Sequence, residues 1–151
     1  MYDARYDGSN SASNLIKSNL WFGMRTDVRF GLSDLPGERL PNGEYGNKDI
    51  YGKDMHFKFA GDDDARSLIA GKGALDLGGI HQAAEGDINF SSGEIRVNGR
   101  SAGTLSGIGP GEHVLSILYL ERGSSMSNCA IYFNLAPRFS LTLQKDDVLS
   151  Q

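Results

Sequence analysis

The sequence predicts an all-β fold, an antiparallel sandwich of about nine short strands with long connecting loops, and three observations carry that prediction. Apolar residues recur at a spacing of two, most cleanly in Met55–Phe59, where Met55, Phe57 and Phe59 alternate with His56 and Lys58. Turn formers are frequent: there are 20 glycines against 4 prolines among many short apolar runs, which points to β-structure with frequent turns. No stretch has a strong 3.6-residue period and no internal repeat is visible. Short half-apolar strands bury their faces most simply as two packed sheets.

At 151 residues the chain has the length of one domain with a real core. Its net charge of −4 and pI near 5.3 argue against a nucleic-acid partner, which needs a basic stripe. No apolar run approaches the ~18 residues of a membrane span, and no basic-then-apolar leader follows Met1. The abrupt start and finish suit a segment of a longer protein. A single cysteine, Cys129, excludes an internal disulfide.

Residues 1–19 are rich in Ser, Asn, Asp and Gly and read as a loose lead-in, with a short helical turn near Ser13–Ser18. Leu20–Phe30 is the first firm strand; Phe22, Met24, Val28 and Phe30 share a face, and the broken alternation predicts a bend or two parts. Residues 31–50 form a long surface loop, a place where function is often carried. After Met55–Phe59 come an aspartate corner, a strand at Arg66–Ala70, a turn at Gly71-Lys72-Gly73 and a strand at Ala74–Leu77. Gly78–Glu85 is a loop. Ile88–Phe90 and Glu94–Val97 flank Ser91-Ser92-Gly93 as a hairpin, and Asn98–Gly111 is turn-rich. Glu112–Leu120 is the most apolar segment and predicts a central strand buried on both faces. Cys129–Leu135 closes the sandwich, spanning 20–136, and 137–151 is a tail or the opening of another domain.

The chemistry concentrates at Gly61-Asp62-Asp63-Asp64. Three carboxylates in one strand-to-strand corner repel one another unless a cation lies between them. Calcium suits them, since it takes six to eight oxygen ligands in flexible geometry. A solvated acidic loop explains the same residues without any ion.

Separated motifs then line up in order: GDDD with an apolar strand and DLGGIH, an INFSSGEIRVNG hairpin, and YLERGSSMSN before the last strand. In combination, over Trp21 to Leu135, they resemble the fibro-slime domain of large Gram-positive bacterial surface proteins, related to the protective-antigen-like β-sandwich of many adhesins. Phe139–Asp147, FSLTLQKDD, is similar to the first strand of a collagen-adhesin B-type repeat. The resemblance implies calcium held by Asp62 and Asp63 across a cis peptide, with Asp64 beside them and Asn128 from a late loop, and with Ser124–Ser127 offering carbonyls and hydroxyls. It further implies open coordination positions that take sugar hydroxyls. Where the family usually reads GDDD-Val-Trp-Val-Phe-Ile-Asp-Gly, this chain has Ala65-Arg66-Ser67-Leu68-Ile69-Ala70-Gly71. Weaker packing in that strand is expected, and no carboxylate stands at Ala70.

Around the corner, Asp76, Glu121 and Arg122 are expected as structural support, Asp76 pairing with Arg122 either buried or at the rim. His81 either touches a ligand or holds its loop by hydrogen bonds. Tyr45 and Tyr51 in the long loop are the better sugar-stacking candidates and Ser127 a further contact, whereas Trp21 and Phe22 cover the core edge. His56 and His113 have no assigned role. Cys129 reads as a small buried filler rather than, with Gln82, a thioester. Glu121 and Asp76 as a glycosidase pair is a weaker alternative.

The expectation is therefore a non-enzymatic, extracellular, cell-wall-anchored adhesin head. It binds calcium and a glycan or host surface protein, with no nucleic-acid partner and no membrane insertion, as a monomeric unit of a longer chain. The rival is a structural spacer in which calcium only braces the fold.

Overall fold

A computed structural model describes residues 21–62, 64–78, 83–122 and 129–135. Among them are nine strands and no helix: β1 (Trp21–Leu32), β2 (His56–Gly61), β3 (Asp64–Ile69), β4 (Lys72–Leu77), β5 (Ala84–Asn89), β6 (Glu94–Val97), β7 (Arg100–Thr104), β8 (Gly111–Arg122) and β9 (Cys129–Phe133). They form two antiparallel sheets, one of four strands in the order β1-β8-β3-β4 and one of five in the order β7-β6-β5-β2-β9. The expected sandwich is thus the observed fold.

The core lies where the inner faces meet. Phe57 and Phe59 of β2, Ile88 of β5, Ile69 of β3, and Leu115 and Ile117 of β8 are all buried. Each belongs to a period-two set, so one side of these strands goes inward and the other meets water. The sheets approach closely at Gly86, where a Cβ would come 2.3 Å from the Leu75 side chain. Packing at native density requires glycine at that position.

Three expectations need correction. The central strand β8 is buried on one face only: Leu118 and Leu120 remain 37% and 46% exposed, because no described element covers the outside of its sheet. An antiparallel sheet tolerates that arrangement. β1 has no bend; it pairs continuously with β8 from Trp21–Arg122 to Leu32–Gly111. Its alternation fades toward the start because β1 is an edge strand, so Met24 is partly uncovered whereas Phe30 and Leu32 are buried. Residues within the turn-rich segment form β7, closed onto β6 by Asn98-Gly99, both at positive φ (50° and 74°). This is the favoured pair for a two-residue hairpin.

Residues 33–55, between β1 and β2, are a fitted cap rather than a loose surface loop. Asn47 is 2% exposed with φ of 55°. Its Oδ1 accepts from the amides of Ser33 and Asp34 at 2.9 and 3.0 Å, and its Nδ2 donates to the carbonyls of Asp34 and Phe90 at 2.9 and 3.0 Å. Asn tolerates the left-handed region, and here one side chain closes four backbone groups. Farther along, Asp49 accepts from the amides of Tyr51 and Lys53 and from Asn134 Nδ2, tying the cap to the residue after β9. Those donors hold its carboxyl below the ordinary value, the Lys53 amide contributing most.

Candidate functional site at the acidic end of the sandwich

The registers place the strand ends that flank most of the expected ligand residues together. Gly61 lies opposite both Ala84 and Cys129, Asp64 opposite Leu120, and Ala65 opposite Leu77. Hence the β2–β3, β4–β5 and β8–β9 connections all leave the sheets at one end. These connections carry Asp63, His81 and Ser127-Asn128, which lie outside the described residues, as do the Ser13–Ser18 segment, Gln82 and Phe139–Asp147. The expected cis bond between Asp62 and Asp63 lies outside the described residues, among which there is no cis peptide.

The charges of two carboxylates reach one thiol at this end. Glu121, at the end of β8, is 1% exposed, and the Tyr119 hydroxyl donates to its Oε2 at 2.6 Å. A buried carboxylate is costly unless hydrogen-bonded, and this hydroxyl offsets part of that cost. Cys129 is at the surface, not the buried filler expected, because β9 is the edge of its sheet. Its thiol is pushed above the ordinary value by partial desolvation, then by the charges of Glu121 and Asp62. Both carboxylates therefore act on one point in space. A thiol held protonated makes a poor partner for a hard cation, whereas carboxylate oxygens suit one. Among the described residues no three His, Cys, Asp or Glu side chains form a group able to hold a metal ion.

Asp64 faces a different way. On β3 the pattern of burial turns Ala65, Ser67 and Ile69 inward and leaves Asp64 and Arg66 outside. Asp64 Oδ1 and Asp76 Oδ1 both come close to Gly78, at 3.7 and 3.0 Å from where a Cβ would stand. Asp76 pairs with Arg66, at 3.1 Å from Nε and 3.0 Å from Nη2, with more than half of each side chain exposed. Arg66 lies directly opposite Asp76, so the described pairing of Asp76 is an exposed one between β3 and β4, while the side chain of Arg122, its expected partner, lies outside what is described. Only the backbone of Arg122 is described, opposite Trp21. Asp76 and Glu121 project from opposite faces of the four-stranded sheet, so no glycosidic bond fits between them.

The two tyrosines lie at the other end, in the cap. Tyr45 sits under the Arg39 guanidinium, 4.5 Å from the ring centroid, which occupies one ring face. Tyr51 is 80% exposed beside Ile50 at the tip of the Asp49 turn. Neither joins the acidic end. Residues without an assigned role turn out to be placed by the sheets: His56 Nδ1 is 2.7 Å from Asp87 Oδ1, and His113 Nε2 is 2.7 Å from the Gly109 carbonyl.

Sequence reasoning missed Asn47 and the polar outer set of the five-stranded sheet, which includes Lys58, Asp87 and Arg96. The second was visible as the off-phase positions of HFKFA, AEGDIN and EIRV. The first was not, because its partners Phe90 and Ser91 are distant in sequence.

No family model and no solved structure matches the chain. Among curated proteins, 79 residues, 52% of the chain, are 29% identical to protein psiF of Dictyostelium discoideum. The chain spans 11% of the length of that protein.

Proposed function

We propose that the domain is a non-catalytic, ligand-binding head of a bacterial surface protein, with calcium held at its acidic end and a glycan or host surface protein bound beside the ion. One observation carries the reading: the connections containing Asp63, His81 and Ser127-Asn128 leave the sheets at the same end as Asp62 and Glu121. The order of motifs resembling the fibro-slime domain supports it, as does the oxygen-rich donor set. Asp62, Asp63 and Asn128 would hold the ion, and Glu121 would brace the end of β8 through Tyr119. Calcium there supplies a fixed positive charge and open positions for hydroxyl oxygens. An extracellular, cell-wall-anchored setting belongs to the same reading.

Thermal unfolding with and without calcium, on the parent and on Asp62→Ala, tests it. An ion that binds only the folded state at 100 times its dissociation constant adds about 2.7 kcal/mol. At ~2–4 °C per kcal/mol, the parent gains roughly 5–10 °C and the variant gains little. No gain in the parent would remove calcium from the reading. A gain without any calcium-dependent glycan or protein binding would leave a spacer whose ion only braces the fold.

A further inference from the structure

The outer face of the five-stranded sheet carries a second surface, built by register rather than by loops. Arg96 lies opposite Asp87, Asp87 opposite Lys58, and Lys58 opposite Tyr132, so one row crosses β6, β5, β2 and β9. In the adjacent row Glu85 lies opposite Ala60, and Ala60 opposite Ala130. Two methyl-sized side chains beside a row of long ones leave a trough, and a groove of about 360 Å³ runs there. Tyr132, 57% exposed on the edge strand, forms one wall.

We infer that this groove is a saccharide-binding platform for a neutral oligosaccharide, separate from the acidic end. Three properties point to that chemistry. An exposed tyrosine ring offers a rigid apolar face with a polar tip, suited to the C–H face of a pyranose. The charges cancel, Lys58 and Arg96 against Glu85 and Asp87, so neither a polyanion nor a polycation is favoured, while hydroxyl groups find donors and acceptors side by side. The polar groups are also held in place: Asp87 lies 2.7 Å from His56 Nδ1 and 3.6 Å from Lys58 Nζ, and Arg96 lies 2.8 Å from Glu94. Binding by fixed groups loses less side-chain entropy. The inference shares its ligand class with the proposed function but needs no ion.

The test uses the full chain and a panel of neutral hexasaccharides (cello-, xylo-, malto-, manno- and chitohexaose), measured by titration calorimetry for the parent, Tyr132→Ala and Tyr132→Phe. At least one sugar is expected to bind the parent, about tenfold more weakly to Tyr132→Ala, and with near-parent affinity to Tyr132→Phe, which keeps the ring. Binding that survives Tyr132→Ala unchanged overturns the inference, and so does failure of every sugar to bind the parent. A parallel titration in chelator reads the acidic end separately. Loss of binding in chelator with no effect of Tyr132→Ala would keep the calcium reading and reject this groove, and the reverse pattern would do the opposite.

Discussion

The two ends of this sandwich solve the problem of exposed strand termini in opposite ways. At the cap, neutral amides and hydroxyls of Asn47, Ser91, Asn89 and Asn134 close onto backbone groups, and its carboxylates are met by donors, Asp49 by two amides and Asn134, Asp54 by Lys48 and Asn89. At the acidic end, Asp62 and Glu121 bring negative charge together around a raised thiol. A network of satisfied neutral groups fixes a shape and leaves nothing over for a ligand. On the proposed reading, the carboxylate oxygens at the acidic end are what a hard cation would take. The longest described connection is thus closed by its own hydrogen bonds, whereas the proposed site draws on connections at the other end.

The largest expected effect comes from breaking the cap. Asn47→Ala leaves the amides of Ser33 and Asp34 and the carbonyls of Asp34 and Phe90 without that partner, and replaces asparagine, which tolerates positive φ, by alanine, which does so less readily. A loss of about 3–5 kcal/mol is expected, read as a lower urea midpoint with an unchanged slope. If the cap were only a surface loop, the loss would stay under ~1 kcal/mol.

A smaller effect sharpens the contrast by removing the strain that persists at the cap end. Ala70 sits at φ 51° in the turn from β3 to β4, followed by Gly71 at 77°. Two-residue turns of this hand favour Asn or Asp before Gly, and an alanine there is held at a cost. Ala70→Gly is expected to raise stability by about 0.5–1 kcal/mol, measurable as a higher unfolding midpoint; a decrease would show that the turn is not strained.

The smallest effect tests the field at the acidic end. Glu121 and Asp62 both disfavour the Cys129 thiolate, so removing either negative charge lowers the pH at which the thiol reacts. Alkylation rate against pH is expected to shift down in Glu121→Gln, and less in Asp62→Asn, without reaching the ordinary thiol value because desolvation remains. Profiles that coincide with the parent in both variants would separate the carboxylates from Cys129.

What the sequence made legible follows the same physics. Met55–Phe59 could be read because one face of β2 is buried and the other wet, a pattern local to the strand. The one-sidedness of β8 could not, since Leu118 and Leu120 are exposed because no described element covers them, which no strand announces for itself. β7 was hidden because RSAGT is small, polar and wholly exposed, so only the Asn98-Gly99 pair betrayed it. At the acidic end the residue types were legible, but their partners were not. The Asp76–Arg66 pair follows from the hairpin register, which sets β3 and β4 side by side and which neither residue announces alone.

The long ladder between β1 and β8 also bears on how the chain is made. β1 is the first described strand in the sequence, and its neighbour in the sheet runs from Gly111 to Arg122. At roughly 5–20 residues per second of synthesis, β1 waits several seconds for the strand that completes it. Pairing at such sequence separation is entropically slow even afterwards. Any chain that stops short of Gly111 leaves β1 as an unpaired edge, open to association with other chains rather than with its own sheet.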